Sequence, residues 1–259
     1  MIKRPYFPIL FFAILTAAVA VLFAFGASGA YGATPKATPN PSPALFQASY
    51  TVQSAPGGTI SGKILYQGKP IKPKKITVTQ NNSECGNTKE IYPVRVENGG
   101  VADAVVWIDG IDHGKAFDLP PAVLDQKGCM FIPPVMLMKP GDLKVVNSDP
   151  VTHNVHIYAK NNRGFNQVMP PGSDPLEVPL LRTDTAVVRC DVHTWMQGHI
   201  VVAANPYYVL SGSGGSFTLT DVPPGTYHLK VWQAELGTKD QTVTVQAGQT
   251  ATADFTLGN

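Results

Sequence analysis

The chain is poor in charge and poor in cysteine. Asp, Glu, Lys and Arg make up 15% of its 259 residues and the formal net charge is +2, where a typical domain is about one quarter charged. So sparse and balanced a set leaves no clustered basic face of the kind nucleic acid requires. There is no collagen-like repeat and no charge-rich disordered tract. No 3.6-residue apolar period appears beyond the N-terminus. A His-x-x-Glu metal motif and a nucleophile elbow are both missing, so hydrolytic chemistry of those kinds has no residues to run on. The three cysteines are too few for a disulfide scaffold, and their odd number leaves one over. What is present in quantity is apolar residue (44%), with 24 glycines and 23 prolines. That profile belongs to a chain with a real core, many turns and few long helices.

The N-terminus carries Lys3 and Arg4, then an almost unbroken apolar run from Ile9 to Phe25, then small residues from Gly26 to Ala30. This is the layout of a secretory signal over residues 1–30, with cleavage after Ala30 and small side chains at Ser28 and Ala30. A run of ~17 apolar residues also sits at the short limit of a membrane span, so an uncleaved anchor through residues 9–25 is the alternative. Both readings export the rest of the chain. They place it in the periplasm or another extracytoplasmic space, free or tethered to the inner membrane. No cysteine follows the apolar run to take a lipid. Residues 31–56, with Pro35, Pro39, Pro41, Pro43 and Pro56, read as a semi-extended linker.

From Gly57 onward the apolar pattern alternates in short stretches. Ile60, Gly62, Ile64 and Tyr66 form one face of a strand, and Ile76 and Val78 begin another. Val101 to Ile108 is a continuous apolar run, as in a strand covered on both faces. Further strands are expected over Val135–Met138, Leu143–Val146, Val155–Tyr158, Ala186–Cys190 and Ile200–Ala203. The last part adds Ser216–Leu219, Tyr227–Trp232, Thr242–Val245 and Thr250–Leu257. Pro/Gly turn signals recur every ten residues or so, which points to all-β sandwich architecture.

One segment is dense in metal-binding side chains: Cys190-Asp-Val-His193-Thr-Trp-Met196-Gln-Gly-His199, between two expected strands. Upstream, Asn147 to His156 holds a second polar cluster containing His153 and Asn154. One thiolate, two imidazoles and a thioether suit a soft metal. Two His and a Cys with a distant axial Met define a blue-copper electron-transfer site. His156 lies an odd number of residues from His153 and faces the other way on a regular strand; it and His199 are read as non-ligands.

The Cys-x-x-His-x-x-Met loop, preceded by a His-Asn-Val strand start, resembles the cupredoxin family, in particular its amicyanin- and plastocyanin-like members. The resemblance implies a Greek-key β-sandwich with one type 1 copper. It assigns His153 as the buried imidazole ligand, His193 as the ligand near the surface, Cys190 as the thiolate and Met196 as the weak axial ligand. Asn154 would tie the His strand to the Cys loop. In an oxidising compartment Cys85 and Cys129 are expected to pair, which leaves Cys190 free for the metal. A second metal site with His113 is the alternative for those two cysteines.

The stretch Gly215 to Trp232, with Asp-Val-Pro-Pro-Gly-Thr-Tyr at its centre, and Val243 to Leu257 resemble the carboxypeptidase regulatory-like domain. This is a small seven-stranded sandwich without catalytic residues. The tail supplies about five strands where about seven are needed, and residues 57–80 read as the missing ones. The expectation is therefore a cupredoxin unit over 81–204 inserted into a regulatory-like sandwich of 57–80 and 205–259. A tandem order, 57–204 then 205–259, is the alternative. The reading is an exported, non-enzymatic blue-copper carrier of single electrons, with a small exported redox protein such as a cytochrome c as partner. A copper-delivery protein, or a binding or adhesion module with a relic metal site, would be the other possibilities.

Overall fold

The computed structural model describes residues 50–53 and 56–258. The signal or anchor segment and most of the proline-rich linker lie outside the described residues. The described chain is all-β, apart from a single helical turn at Asn82–Cys85 and a 3-10 turn at Ser213–Gly215. It has two separate hydrophobic cores.

The first core lies between two sheets built from residues 123–202. One sheet runs Phe131–Ile132, Val123–Gln126, Gly141–Asn147, Leu176–Leu180. The other runs Val135–Met138, Gln197–Val202, Asp184–Arg189, His153–Tyr158, Phe165–Met169. Each sheet contains one parallel pair, 123–126 beside 141–147 and 135–138 beside 197–202. The remaining pairs are antiparallel. Period-two alternation places Leu143 and Val145, Val155 and Ile157, Ala186 and Val188, and Ile200 and Val202 on the inner faces, all fully buried or nearly so.

The second core draws on both ends of the described chain. Gly58–Gln67 pairs antiparallel with Ser216–Val222 and parallel with Thr250–Thr252 and Phe255–Gly258. Gly62 makes the close parallel approach possible, since a Cβ there would run into the carbonyl of Ala253. The facing sheet orders Tyr208–Leu210, Val105–Asp109, Gly225–Gln233 and Gly237–Val245. Ile60, Ile64, Ile108, Tyr207, Leu229, Val231 and Leu257 fill the space between them. The chain therefore starts one sandwich, leaves it to build the other, and returns.

The division at residue 81 is displaced. Val96–Glu97, Gly100–Val101 and Val105–Asp109 pair within the second sandwich, not the first. A continuous apolar run signals a doubly covered strand but does not say which sheet covers it. The run is also interrupted: Asp103 has φ 58 and separates Gly100–Val101 from Val105–Asp109. Between Gly58–Gln67 and Val96–Glu97, both in the second sandwich, lies a short hairpin, Lys74–Thr77 with Thr88–Ile91. The helical turn Asn82–Cys85 sits at its tip, and this tip reaches the first sandwich. Tyr207 is fully buried in the second core.

Candidate metal centre

His153 opens the strand His153–Tyr158, and Cys190 directly follows the strand Asp184–Arg189. From Cys190 the chain turns tightly. The N–H of Met196 donates to the carbonyl of His193 (2.8 Å), and the N–H of Cys190 donates to the carbonyl of Met196 (3.2 Å). The chain then re-enters the sheet at Gln197. A three-residue step from Cys190 to His193 within such a turn points both side chains inward.

His153, Cys190 and His193 converge. Their donor atoms form a triangle: His153 Nδ1 to His193 Nδ1 is 2.8 Å, and Cys190 Sγ is 4.0 and 3.9 Å from the two nitrogens. A point equidistant from all three lies about 2.1 Å from each, within the range of roughly 2.0–2.3 Å for nitrogen and sulfur on a first-row metal ion. Both imidazoles are 0% exposed and Cys190 is 2% exposed. Met196 is fully buried in the same loop.

The proton count at this triangle is informative. His153 Nε2 lies 2.8 Å from Asp149 Oδ2, and His193 Nε2 lies 3.0 Å from Asn81 Oδ1. Both partners are acceptors, so each Nε2 carries a proton, and in the neutral rings each Nδ1 presents a lone pair. Two buried lone pairs 2.8 Å apart repel unless a shared cation lies between them. The donor set fits a soft metal ion.

Each donor is held from behind. Asp149 accepts the N–H of Gly128 (2.6 Å) and of Cys129 (2.7 Å). Burial works to raise its pKa, but the N–H groups of Cys129 and Gly128 and the His153 ring outweigh it and hold the carboxyl below the usual range. For His193, burial first and then the neighbouring His153 depress the imidazole below its ordinary value, so near neutral pH the ring is uncharged, the form a metal needs. Cys190 Sγ accepts two backbone N–H groups, from Asn154 and His193, each at 3.4 Å. Asn154 also ties the two ligand segments together: its Oδ1 accepts the N–H of Asp191, and its Nδ2 donates to Asp191 Oδ2 (3.0 Å).

Cys85 and Cys129 form a disulfide, and Cys190 is the free cysteine. The trio Cys129, Asp149 and His153 also clusters, but a disulfide sulfur has no thiolate to offer, so this is not a second centre. His156 turns to Asp191 Oδ2 (3.0 Å), and His199 packs edge-on against Trp232. His113 engages Asp112.

One expectation is corrected. His193 does not reach the surface: Asn81 closes over its Nε2, Cys85 Sγ lies 3.9 Å from the same atom, and Trp195 packs against the ring at a centroid distance of 5.0 Å. Asn81 and Asp149 are the two site residues that sequence reasoning missed. Asp149 stands four residues before His153 in the polar cluster, a spacing that could have suggested it. Asn81 is 112 residues from His193 and gave no local signal.

The family profile of the carboxypeptidase regulatory-like domain matches residues 196–258. Its first residues fall in the strand Gln197–Val202, which pairs within the first sandwich. No curated protein matches the chain. Solved structures similar to part of this chain include a reduced mutant of amicyanin, 22% identical over 33% of this chain and 86% of that one, with a TM-score of 0.29. A purple cupredoxin from Nitrosopumilus maritimus is 19% identical over 32% of this chain and 99% of that one, with a TM-score of 0.28. A copper-containing nitrite reductase from Thermus scotoductus SA-01 is 19% identical, with a TM-score of 0.30; the match covers 34% of this chain and 24% of the reductase.

Proposed function

We propose that this protein is an exported type 1 copper protein that carries single electrons. His153, Cys190 and His193 hold the metal and Met196 is the weak axial ligand. The observation that carries this reading is the buried triangle of two bare Nδ1 atoms and one doubly hydrogen-bonded sulfur. Copper bound there would supply a one-electron couple. The chain's own contribution is rigidity: three donors on a packed sheet and a tight loop, each held by a further hydrogen bond, rearrange little as charge changes. A small exported redox protein such as a cytochrome c is the partner we propose, and the periplasm or a comparable space is the location. Residues 9–25 either direct export or remain as a membrane anchor. The regulatory-like sandwich, into which the copper-binding sandwich is inserted, adds no catalytic group.

Copper delivery is the competing reading, and burial weighs against it. A delivery site passes its metal to a partner's ligands, which needs at least one donor open to approach, and all three donors here are enclosed. Titration of the metal-free protein with Cu(II) tests the proposal. One equivalent should produce an intense blue thiolate-to-copper band that is absent in Cys190→Ser. Absence of the band in the parent protein, with the free thiol intact, overturns it.

A further inference from the structure

The segment 78–86 belongs to the hairpin that follows the first strand of the second sandwich, yet it ends against the metal centre of the first. Val78 and Cys85 are buried in the metal-bearing core. The segment is pinned there by the Cys85–Cys129 disulfide. Asn81 sits at its bend in the left-handed region, φ 53, which Asn tolerates better than most side chains. Its neighbour Asn82 donates through Nδ2 to the carbonyl of Val78 (2.8 Å). The bend presents Asn81 Oδ1 to His193 Nε2 at 3.0 Å. On the other side of the disulfide, Cys129 gives its N–H to Asp149, which holds His153, and its carbonyl to the indole N–H of Trp195 (3.0 Å), which flanks His193. The contacts behind both imidazoles thus converge on one covalent link.

We infer that this strap is a built part of the metal centre: Asn81 is a positioning residue that fixes His193 in the tautomer with Nδ1 free for metal, and it closes the ring off from solvent. The inference rests on the copper reading for the identity of the metal but not for the behaviour of the imidazole. Loss of a hydrogen-bond partner behind a ligating histidine lowers metal affinity by roughly 10–100-fold. The strap therefore governs how long the centre keeps its ion. It also makes the first sandwich's site depend on a residue contributed from the second sandwich's chain segment. The disulfide is 3% and 1% exposed at its two cysteines, so it serves as a brace and not as a target for exchanging thiols.

The test uses the full chain with Asn81→Leu, which removes the acceptor at similar size, and Asn81→Asp, which keeps it. Long-range nitrogen–proton NMR of the metal-free protein reads the tautomer directly. His193 should carry its proton on Nε2 in the parent and in Asn81→Asp, and should populate both tautomers in Asn81→Leu. In the copper-loaded protein, release to a chelator should be roughly ten-fold faster for Asn81→Leu and near the parent rate for Asn81→Asp. An unchanged tautomer in Asn81→Leu overturns the inference. So does equal impairment of both variants, which would mean a packing effect. If the parent takes no copper but the tautomer still follows residue 81, the copper reading fails and the positioning role stands.

Discussion

Both sandwiches bury polar side chains, and they use them differently. In the second sandwich Asn205, Ser211 and Gln233 are buried, and each is spent on backbone. Asn205 bonds the carbonyl of Ile108 and the N–H of Tyr207. Ser211 bonds the carbonyl of Val101 and the N–H of Ala104. Gln233 bonds the carbonyl of Pro93 and the N–H groups of Glu235 and Leu236. These side chains satisfy loops that cannot complete a ladder. In the first sandwich His153, His193 and Asn154 bond mainly other side chains, and the two imidazoles keep one nitrogen each with no N–H donor to answer it. The contrast separates a buried polar group that completes a fold from one held ready for a ligand. Asp184 is the internal control: it lies in the first sandwich but accepts the N–H groups of Lys160, Asn161 and Asn162, so it sits with the structural set.

The largest effect should come from cutting the link between the two regions. Closing a loop of 44 residues stabilises a fold by about 4 kcal/mol on the chain-entropy model. Replacing Cys85 and Cys129 together by Ala should lower the unfolding free energy by about that much, measured by denaturant titration. Copper retention should also weaken in the folded protein, because Asn81 and Asp149 lose their common brace. A loss of stability with unchanged copper release would confine the disulfide to the structural class.

Next in size is a change on the structural side alone. Asn205→Ala strips a partner from a buried carbonyl and a buried N–H, at a cost of about 2–3 kcal/mol. It should leave the copper band unmoved. A shifted band would mean that the two sandwiches are coupled more closely than their separate cores suggest.

The part of this contrast legible in the sequence is the part that is local. Cys190, His193 and Met196 lie within one turn, so their spacing alone puts them on one loop, and the strands that flank it alternate plainly. Phe165–Met169 and Leu176–Leu180 were not foreseen. The first reads Phe-Asn-Gln-Val-Met and is mostly exposed, the second contains Pro179, and both owe their place to their antiparallel neighbours. The disulfide followed from compartment and cysteine count. The burial of His193 could not be read, because what covers it arrives from a hairpin 112 residues upstream. Long-range contacts of that kind leave no trace in periodicity.

Acid should act on both classes of carboxylate. For Asp184, burial tends to raise the pKa, but the N–H groups of Asn161, Asn162 and Lys160 outweigh it and the net shift is downward; Asp149 is shifted the same way. A folded value below the unfolded value of about 3.9 means that the ionised form favours the fold. That stability is complete above the unfolded value and is lost as pH falls through the folded ones. The metal-free protein should therefore lose stability below about pH 4, and Asp184→Asn should flatten this limb. A limb unchanged in Asp184→Asn would remove Asp184 from the set.

The smallest effect should come from Met196→Leu, and it sharpens the contrast within the loop itself. Met196 is fully buried, so its side chain fills volume whatever else it does, and a swap to Leu conserves that volume at a cost of about 1.5 kcal/mol or less. If its sulfur served only to pack, copper-loaded Met196→Leu would match the parent in colour and in reduction potential. As an axial ligand it makes a long, weak bond. The blue band, which belongs to Cys190, should then persist. The potential should rise, because a thioether donor stabilises the oxidised ion more than the reduced one, and losing it favours the reduced state. Voltammetry of the two proteins side by side reads this directly. A preserved band with a raised potential places Met196 with His153 and His193. An unchanged potential places it with Leu143 and Val155, as a core residue that happens to lie near the centre.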